Sequence, residues 1–231
     1  MPTRRRVRLA DGGQVTAIAY CPTQASVPRL IATLVLAHGA GADQEHSFLV
    51  DVAGRLARAG VRTVTFNFPY TESGRRAPDR AAVLQGCFLA VLADERKRPR
   101  GARTLPLFVG GKSLGGRMAS HLAADGEPGI AGLVCLGYPL HPPGKPEQLR
   151  VAHLDRIRVP VLVVQGSRDP FGGPDEVGRH FRVVPAPVTI FPVEQGDHSF
   201  KVPKRVASAD AVMGGVINEI VRWMRDVTAA R

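Results

Sequence analysis

Six short apolar runs separated by longer amphipathic stretches constrain this chain more than any other feature. The runs are Ile31–Ala37, Val61–Phe68, Thr104–Val109, Ile130–Leu136, Val159–Gln165 and Ala186–Phe191. Their apolarity is continuous rather than alternating, as in strands covered on both faces by helices in a parallel sheet. The intervening stretches carry helical spacing. His46–Ala59 sets Phe48, Val52, Leu56 and Ala59 on one stripe, with Gly60 as the stop. Ala77–Arg98, Leu114–Ala124 and Arg205–Thr228 behave similarly, and a short helix is expected to begin near Glu176 behind Asp175 as its cap. Arg4–Leu9 and Gln14–Tyr20, joined across Asp11-Gly12-Gly13, read as an antiparallel edge hairpin. The expected class is α/β, with an open, mostly parallel central sheet flanked by helices on both faces. No repeat or long linker divides the 231 residues, so residues 1–231 read as one domain.

Composition narrows the partners. The formal net charge is +11, from 31 Lys+Arg against 20 Asp+Glu. Its basic clusters, Arg4–Arg8 and Arg96–Arg103, lack interleaved aromatics, and aromatic content is only 6%, so stacking platforms for nucleic acid are missing. Cys87 and Cys135 lie inside apolar runs and read as buried free thiols, fitting a reducing compartment. The basic N-terminus is followed by no apolar stretch of signal-peptide length, and no run approaches a membrane span. A soluble cytoplasmic protein is expected; its oligomeric state stays open.

Chemistry concentrates at residues 105–123, where an apolar run meets Gly111-Lys112-Ser113-Leu114-Gly115 and then a helical pattern. A serine between strand and helix needs a turn too sharp for bulky neighbours, hence glycines two residues to either side. The same turn aims the free N–H groups of the next helix at the reacting atom. A phosphate-binding P-loop would require glycine at position 106, which is Pro106, and a dinucleotide fingerprint from Gly39 and Gly41 would require glycine where Gln44 stands.

An activated serine needs a base and a group that orients the base. Asp169 follows the run ending at Gln165, and His198 precedes the last helical segment, so Ser113, Asp169 and His198 fit the Ser…Asp…His order of α/β-hydrolases. His141, in a Pro-rich loop, is the alternative base. Asp197, beside His198 in the chain, reads as a loop-stabilising acid. The oxyanion donors are expected to be the Leu114 N–H and the Ala40 N–H, the latter from the glycine-bearing loop after Ala37. His38 reads as a brace for that loop. No H-E-x-x-H or paired C-x-x-C spacing occurs, and neither metal nor cofactor is expected.

His38-Gly39-Ala40-Gly41, Phe66-Asn67-Phe68-Pro69-Tyr70, Gly74-Arg75-Arg76, Gly110–Arg117 and Asp197-His198-Ser199-Phe200-Lys201 together resemble the bacterial branch of a small α/β-hydrolase family. That family also contains a testis-expressed eukaryotic protein and a subunit of the histone-acetylating nonspecific lethal complex, and it lies near the dienelactone hydrolases. The resemblance covers roughly residues 30–225 and implies the α/β-hydrolase fold with Ser113, Asp169 and His198 as triad. Dienelactone hydrolases proper use a cysteine nucleophile, so Ser113 departs from them.

Only Tyr138–Ile157 is available for a cover after Leu136, which leaves room for a short flap and not for a helical lid. An open site suits small or extended substrates. Arg75 and Arg76, after the second run, are candidates to bind an anionic substrate group, and Tyr138 is a third substrate-binding candidate. The expected activity is acyl transfer to water from a small-molecule ester or thioester, with no nucleic-acid or membrane partner. The competing reading is a noncatalytic α/β-hydrolase-like interaction module.

Overall fold

A computed structural model describes residues 2–22, 30–98 and 105–230. Its strands are β1 (Thr3–Arg8), β2 (Gln14–Tyr20), β3 (Ala32–Ala37), β4 (Val61–Phe66), β5 (Leu107–Lys112), β6 (Ile130–Leu136), β7 (Val161–Gly166) and β8 (Val188–Val193). They form one sheet in the order β1-β2-β4-β3-β5-β6-β7-β8. β1 and β2 form an antiparallel hairpin, β2 runs antiparallel to β4, and every other pairing is parallel. The helices are α1 (Ser47–Arg58), α2 (Pro69–Glu72), α3 (Ala81–Arg96), α4 (Leu114–Ala124), α5 (Pro174–Phe181) and α6 (Ala209–Ala229). Among the described residues, no helix is long and apolar enough to cross a membrane.

The continuous apolarity of the runs has a direct cause in the layering. Leu34 and Leu36 of β3 belong to one buried cluster together with Leu49, Val52 and Leu56 of α1 and Ile220, Trp223 and Met224 of α6. The alternate residues Val35 and Ala37 belong to the cluster on the other face, which also holds Phe88 of α3, Met118 and Leu122 of α4 and Phe181 of α5. Both faces of the strand are therefore dry, and a polar residue at either parity would lose its hydration.

Several boundaries move from those read in the sequence. The second run stops being strand at Phe66, because Pro69 starts α2 as an N1 proline. β5 begins at Leu107 and runs three residues past Val109 through Gly110, Gly111 and Lys112; Thr104 lies outside the described residues. The helix expected from Ala77 starts at Ala81. Asp175 sits in the first turn of α5, whose cap is Gly173, so its carboxylate acts on the helix dipole and does not cap. The Arg4–Arg8 cluster is largely consumed by ion pairs: Arg4 with Glu45, Arg5 with Asp94 and Glu95, and Arg6 with Glu72. Arg96 and Arg98 of the second cluster pair with Glu127 and Asp94; its residues 99–103 lie outside the described residues.

Candidate active site

At the C-terminal end of β5 the chain turns through Ser113 and enters α4. Ser113 has φ 51° and ψ −114°, a conformation a non-glycine residue adopts only at a cost of roughly 1–3 kcal/mol. The turn closes because its flanks carry no side chains. A Cβ on Gly111 would lie 2.4 Å from the Gly115 carbonyl carbon, and one on Gly115 would lie 2.4 Å from the Ala37 carbonyl oxygen. Backbone thus packs on backbone where β3, β5 and α4 meet. The Ser113 N–H donates to the Leu136 carbonyl at 3.0 Å, tying the turn to β6.

Ser113 opens onto a cavity of about 520 Å³, a volume that suits a small substrate. Ala40, Leu114 and His198 line the same cavity. Among the described residues, neither the Ala40 N–H nor the Leu114 N–H has a protein acceptor. Two donors are thus left available beside the serine, one of them at the positive end of the eleven-residue α4.

Asp169 and His198 come from the loops after β7 and β8. The His198 Nδ1–H donates to Asp169 Oδ2 at 2.7 Å, and the Asp169 side chain is completely buried. A carboxylate accepting at Nδ1 fixes the tautomer that leaves Nε2 as an acceptor. Phe171 packs against the imidazole, with centroids 4.3 Å apart, and its N–H donates to Asp169 Oδ1 at 2.9 Å. No hydrogen bond joins Ser113 to His198 among the described residues; such contacts commonly tighten only when substrate is present.

Gln165, which the sequence reading did not single out, is the clamp of this arrangement. Its Nε2–H groups donate to Asp169 Oδ2 at 2.9 Å and to the Gly172 carbonyl at 2.7 Å, while its Oε1 accepts from the Tyr138 N–H at 2.8 Å. The available signal was a lone polar side chain ending an apolar run in a buried strand, which must find partners. Asp197 accepts from the Ser199 and Lys201 N–H groups and so shapes the loop that presents His198.

His38 is buried and bonded at both ring nitrogens. Nδ1–H donates to the Gly39 carbonyl at 2.9 Å, and Nε2 accepts the Phe68 N–H at 3.1 Å. Burial lowers its pKa, keeping it neutral, as a brace for the Ala40 loop. His141 bonds to the Pro142 carbonyl and faces Glu176 at 3.4 Å, away from the cavity lining. A second serine–histidine contact, Ser120 Oγ to His153 Nε2 at 2.7 Å, is buried behind α4 and lines no part of the cavity. His153 is pulled down to about 3 by burial and by His121, whose ring stacks 3.7 Å from it.

The three expected substrate-binding residues are placed elsewhere. Arg75 is exposed; it pairs with Asp79 at 2.8 Å, and Asp79, not Arg75, lines the cavity. Arg76 is exposed and outside the lining. Tyr138 is fully buried, and its hydroxyl donates to the Arg150 carbonyl at 2.7 Å. Arg75 is held within its own loop, donating to Ser73 Oγ at 3.2 Å as well as to Asp79. Tyr138 departs because its N–H and hydroxyl are both engaged inside the fold, by Gln165 Oε1 and the Arg150 carbonyl. Lys112, Arg117 and Arg150 line the cavity instead.

The sequence profile of a family described as an alpha/beta hydrolase domain matches residues 31–225. Among solved structures, a dienelactone hydrolase from Anabaena variabilis ATCC 29413 is similar at 17% identity and TM-score 0.75, covering 96% of both chains. Est1E from Butyrivibrio proteoclasticus, bound to ferulic acid, is similar at 16% identity and TM-score 0.78, covering 97% of this chain and 99% of its own. A serine hydrolase without a lid from Xanthomonas campestris is similar at 19% identity and TM-score 0.70, covering 96% of this chain and 94% of its own. At these identities the likeness is one of fold.

Proposed function

The chain belongs to the α/β-hydrolase family, and from that premise we propose that it is a serine hydrolase that cleaves a small ester or thioester through an acyl-enzyme on Ser113. The observation that carries this reading is the 2.7 Å Asp169–His198 contact beside a cavity that Ser113 shares with two unengaged N–H groups. We further infer a single hydrolase domain in the family branch near the dienelactone hydrolases, working in the cytoplasm, where the free thiols of Cys21, Cys87 and Cys135 would stay reduced.

In the proposed mechanism His198 Nε2 takes the Ser113 Oγ proton as Oγ bonds to the substrate carbonyl carbon. The resulting oxyanion accepts hydrogen bonds from the Ala40 and Leu114 N–H groups, and Asp169 stabilises the imidazolium through Nδ1–H. Collapse breaks the bond to the alcohol or thiol, which leaves with the proton from Nε2. Water then gives a proton to Nε2 and attacks the acyl carbon, and the second collapse releases the acid and returns the proton to Ser113. Ser113→Ala is expected to lower kcat on short 4-nitrophenyl esters by at least about a thousandfold with the fold intact. Near-wild-type turnover by that variant would remove the assignment. An ester, thioester and amide panel on the purified protein sets the preference among acyl donors.

A further inference from the structure

The cavity beside Ser113 carries more positive charge than its own carboxylates answer. Arg117 stands one turn into α4, its N–H bonded to the Ser113 carbonyl at 3.0 Å. Its side chain lines the cavity with a buried Nε that has no hydrogen-bond partner, and among the described residues it has no ion pair. Arg150 reaches the same cavity from the cover segment. Its guanidinium donates only to the Pro139 carbonyl, at 3.3 Å, and it too has no carboxylate partner among the described residues. The two cations feel each other: burial first, and then the Arg117 charge, lower the pKa of Arg150.

Arginines with buried stems ordinarily find carboxylates, and a half-buried pair of like charge that stays unpaired is held at a cost. Here the backbone fixes that pair. The Arg150 N–H donates to the Leu140 carbonyl at 2.9 Å, and the Tyr138 hydroxyl holds the Arg150 carbonyl at 2.7 Å. Neither acid that lines the cavity bonds to Arg117 or Arg150, although Asp79 keeps a buried Oδ2 with no hydrogen-bond partner. Asp79 is paired with Arg75, and Asp43 accepts the Glu45 N–H at 2.9 Å. Lys112, the third cation, lies beside His198 and feels Asp169 and Asp197, so it belongs to the serine–histidine side of the cavity.

We propose that Arg117 and Arg150 form an oxyanion-binding subsite, and that the substrate is an ester or thioester carrying a carboxylate or phosphate group. That a substrate carries the anion rests on the hydrolase reading; the subsite itself rests on the cation pair alone. A planar, bidentate acceptor between two guanidinium groups relieves their repulsion and fills donors that no protein group fills. It also assigns an indirect part to Tyr138, which positions Arg150 from below without touching the cavity.

The test compares matched neutral and anionic esters at low ionic strength. On the acyl side the pair is 4-nitrophenyl hexanoate and the 4-nitrophenyl monoester of adipic acid; on the leaving-group side it is phenyl acetate and 4-acetoxybenzoate. In the wild type the anionic member of at least one pair is expected to be favoured by about tenfold or more in kcat/KM, and Arg117→Met or Arg150→Met to lower that ratio by about tenfold. In parallel, glutarate monomethyl ester and inorganic phosphate are titrated by thermal shift. At least one is expected to raise the wild-type Tm and neither to raise that of the variants, and which one acts separates a carboxylate from a phosphate. Neutral esters turned over with no anionic preference and no wild-type thermal shift would overturn the subsite and leave the hydrolase reading standing. Should no ester be turned over, that reading fails, and the thermal shift alone decides the subsite, its absence in the wild type refuting it.

Discussion

Gly115→Ala tests the claim that backbone packing between β3, β5 and α4 sets the site. The added Cβ would sit 2.4 Å from the Ala37 carbonyl oxygen and 2.7 Å from that of His38, about 1 Å inside normal contact. Neither atom is the end of a flexible side chain, so strand β3 or helix α4 must move. Overpacking of this kind costs about 2–3 kcal/mol. Alanine returns about 1 kcal/mol of intrinsic helix preference, leaving a net loss of about 1–2 kcal/mol, or about 2–8 °C in Tm for a chain of this size. The catalytic consequence should be larger than the thermal one. The displaced strand carries the loop with Ala40, so an N–H donor moves by up to about 1 Å relative to Ser113, and a shift of that size lowers kcat by about a hundredfold. Gly86 supplies the control. It lies on the exposed side of α3, where an added Cβ meets nothing within 4 Å. Gly86→Ala should therefore raise Tm by about 1–4 °C and leave kcat unchanged. Scanning fluorimetry and initial rates on 4-nitrophenyl acetate measure both. Wild-type Tm and kcat in Gly115→Ala, or equal damage from Gly86→Ala, would show that this backbone contact does not set the site.

Other consequences follow from the contacts around the sheet. His38→Leu leaves the buried Phe68 N–H without its acceptor and should cost about 1–3 kcal/mol, read as a lower midpoint in urea, while measurable esterase activity survives, as a brace and not a base requires. Glu95 is buried between Arg5 at 2.6 Å and Arg62 at 2.9 Å, so Glu95→Ala should destabilise by about 3–5 kcal/mol and leave the kcat of the surviving folded protein near wild type. His153 titrates near 3 in the folded chain and near 6.5 when unfolded. The unfolded state therefore binds the extra proton between those values, so stability present above about pH 6.5 is lost as pH falls, at up to about 1.4 kcal/mol per pH unit. The Tm of His153→Gln should fall less steeply than wild type between pH 6.5 and 4.5; parallel curves would contradict this.

Much of the fold was legible because its strands are dry on both faces and its helices are not. Leu34 and Val35 are both buried, and only a covered parallel strand makes such neighbours equally apolar. The serine turn was legible for a different reason: Gly111 and Gly115 are required by contacts within a few residues, so local spacing records them. What stayed hidden depends on partners distant in the chain. The end of β5 at Lys112 is invisible to hydropathy because Gly110 and Gly111 are small, not apolar. Gln165 gains meaning only when Tyr138, Asp169 and Gly172 gather around its amide. Arg75 and Arg76 sit in the right loop by chain position, but both are exposed and neither lines the cavity. Arg117 and Arg150 are separated by a strand and the cover segment, and only the fold brings them to one cavity.

The central claim is that Ser113 is an activated nucleophile, and intact-protein mass spectrometry after a brief exposure to a fluorophosphonate measures this most directly. A single adduct on Ser113 is expected, absent in Ser113→Ala and formed much more slowly in His198→Ala. An unlabelled wild type, or an adduct that persists in Ser113→Ala, would contradict it.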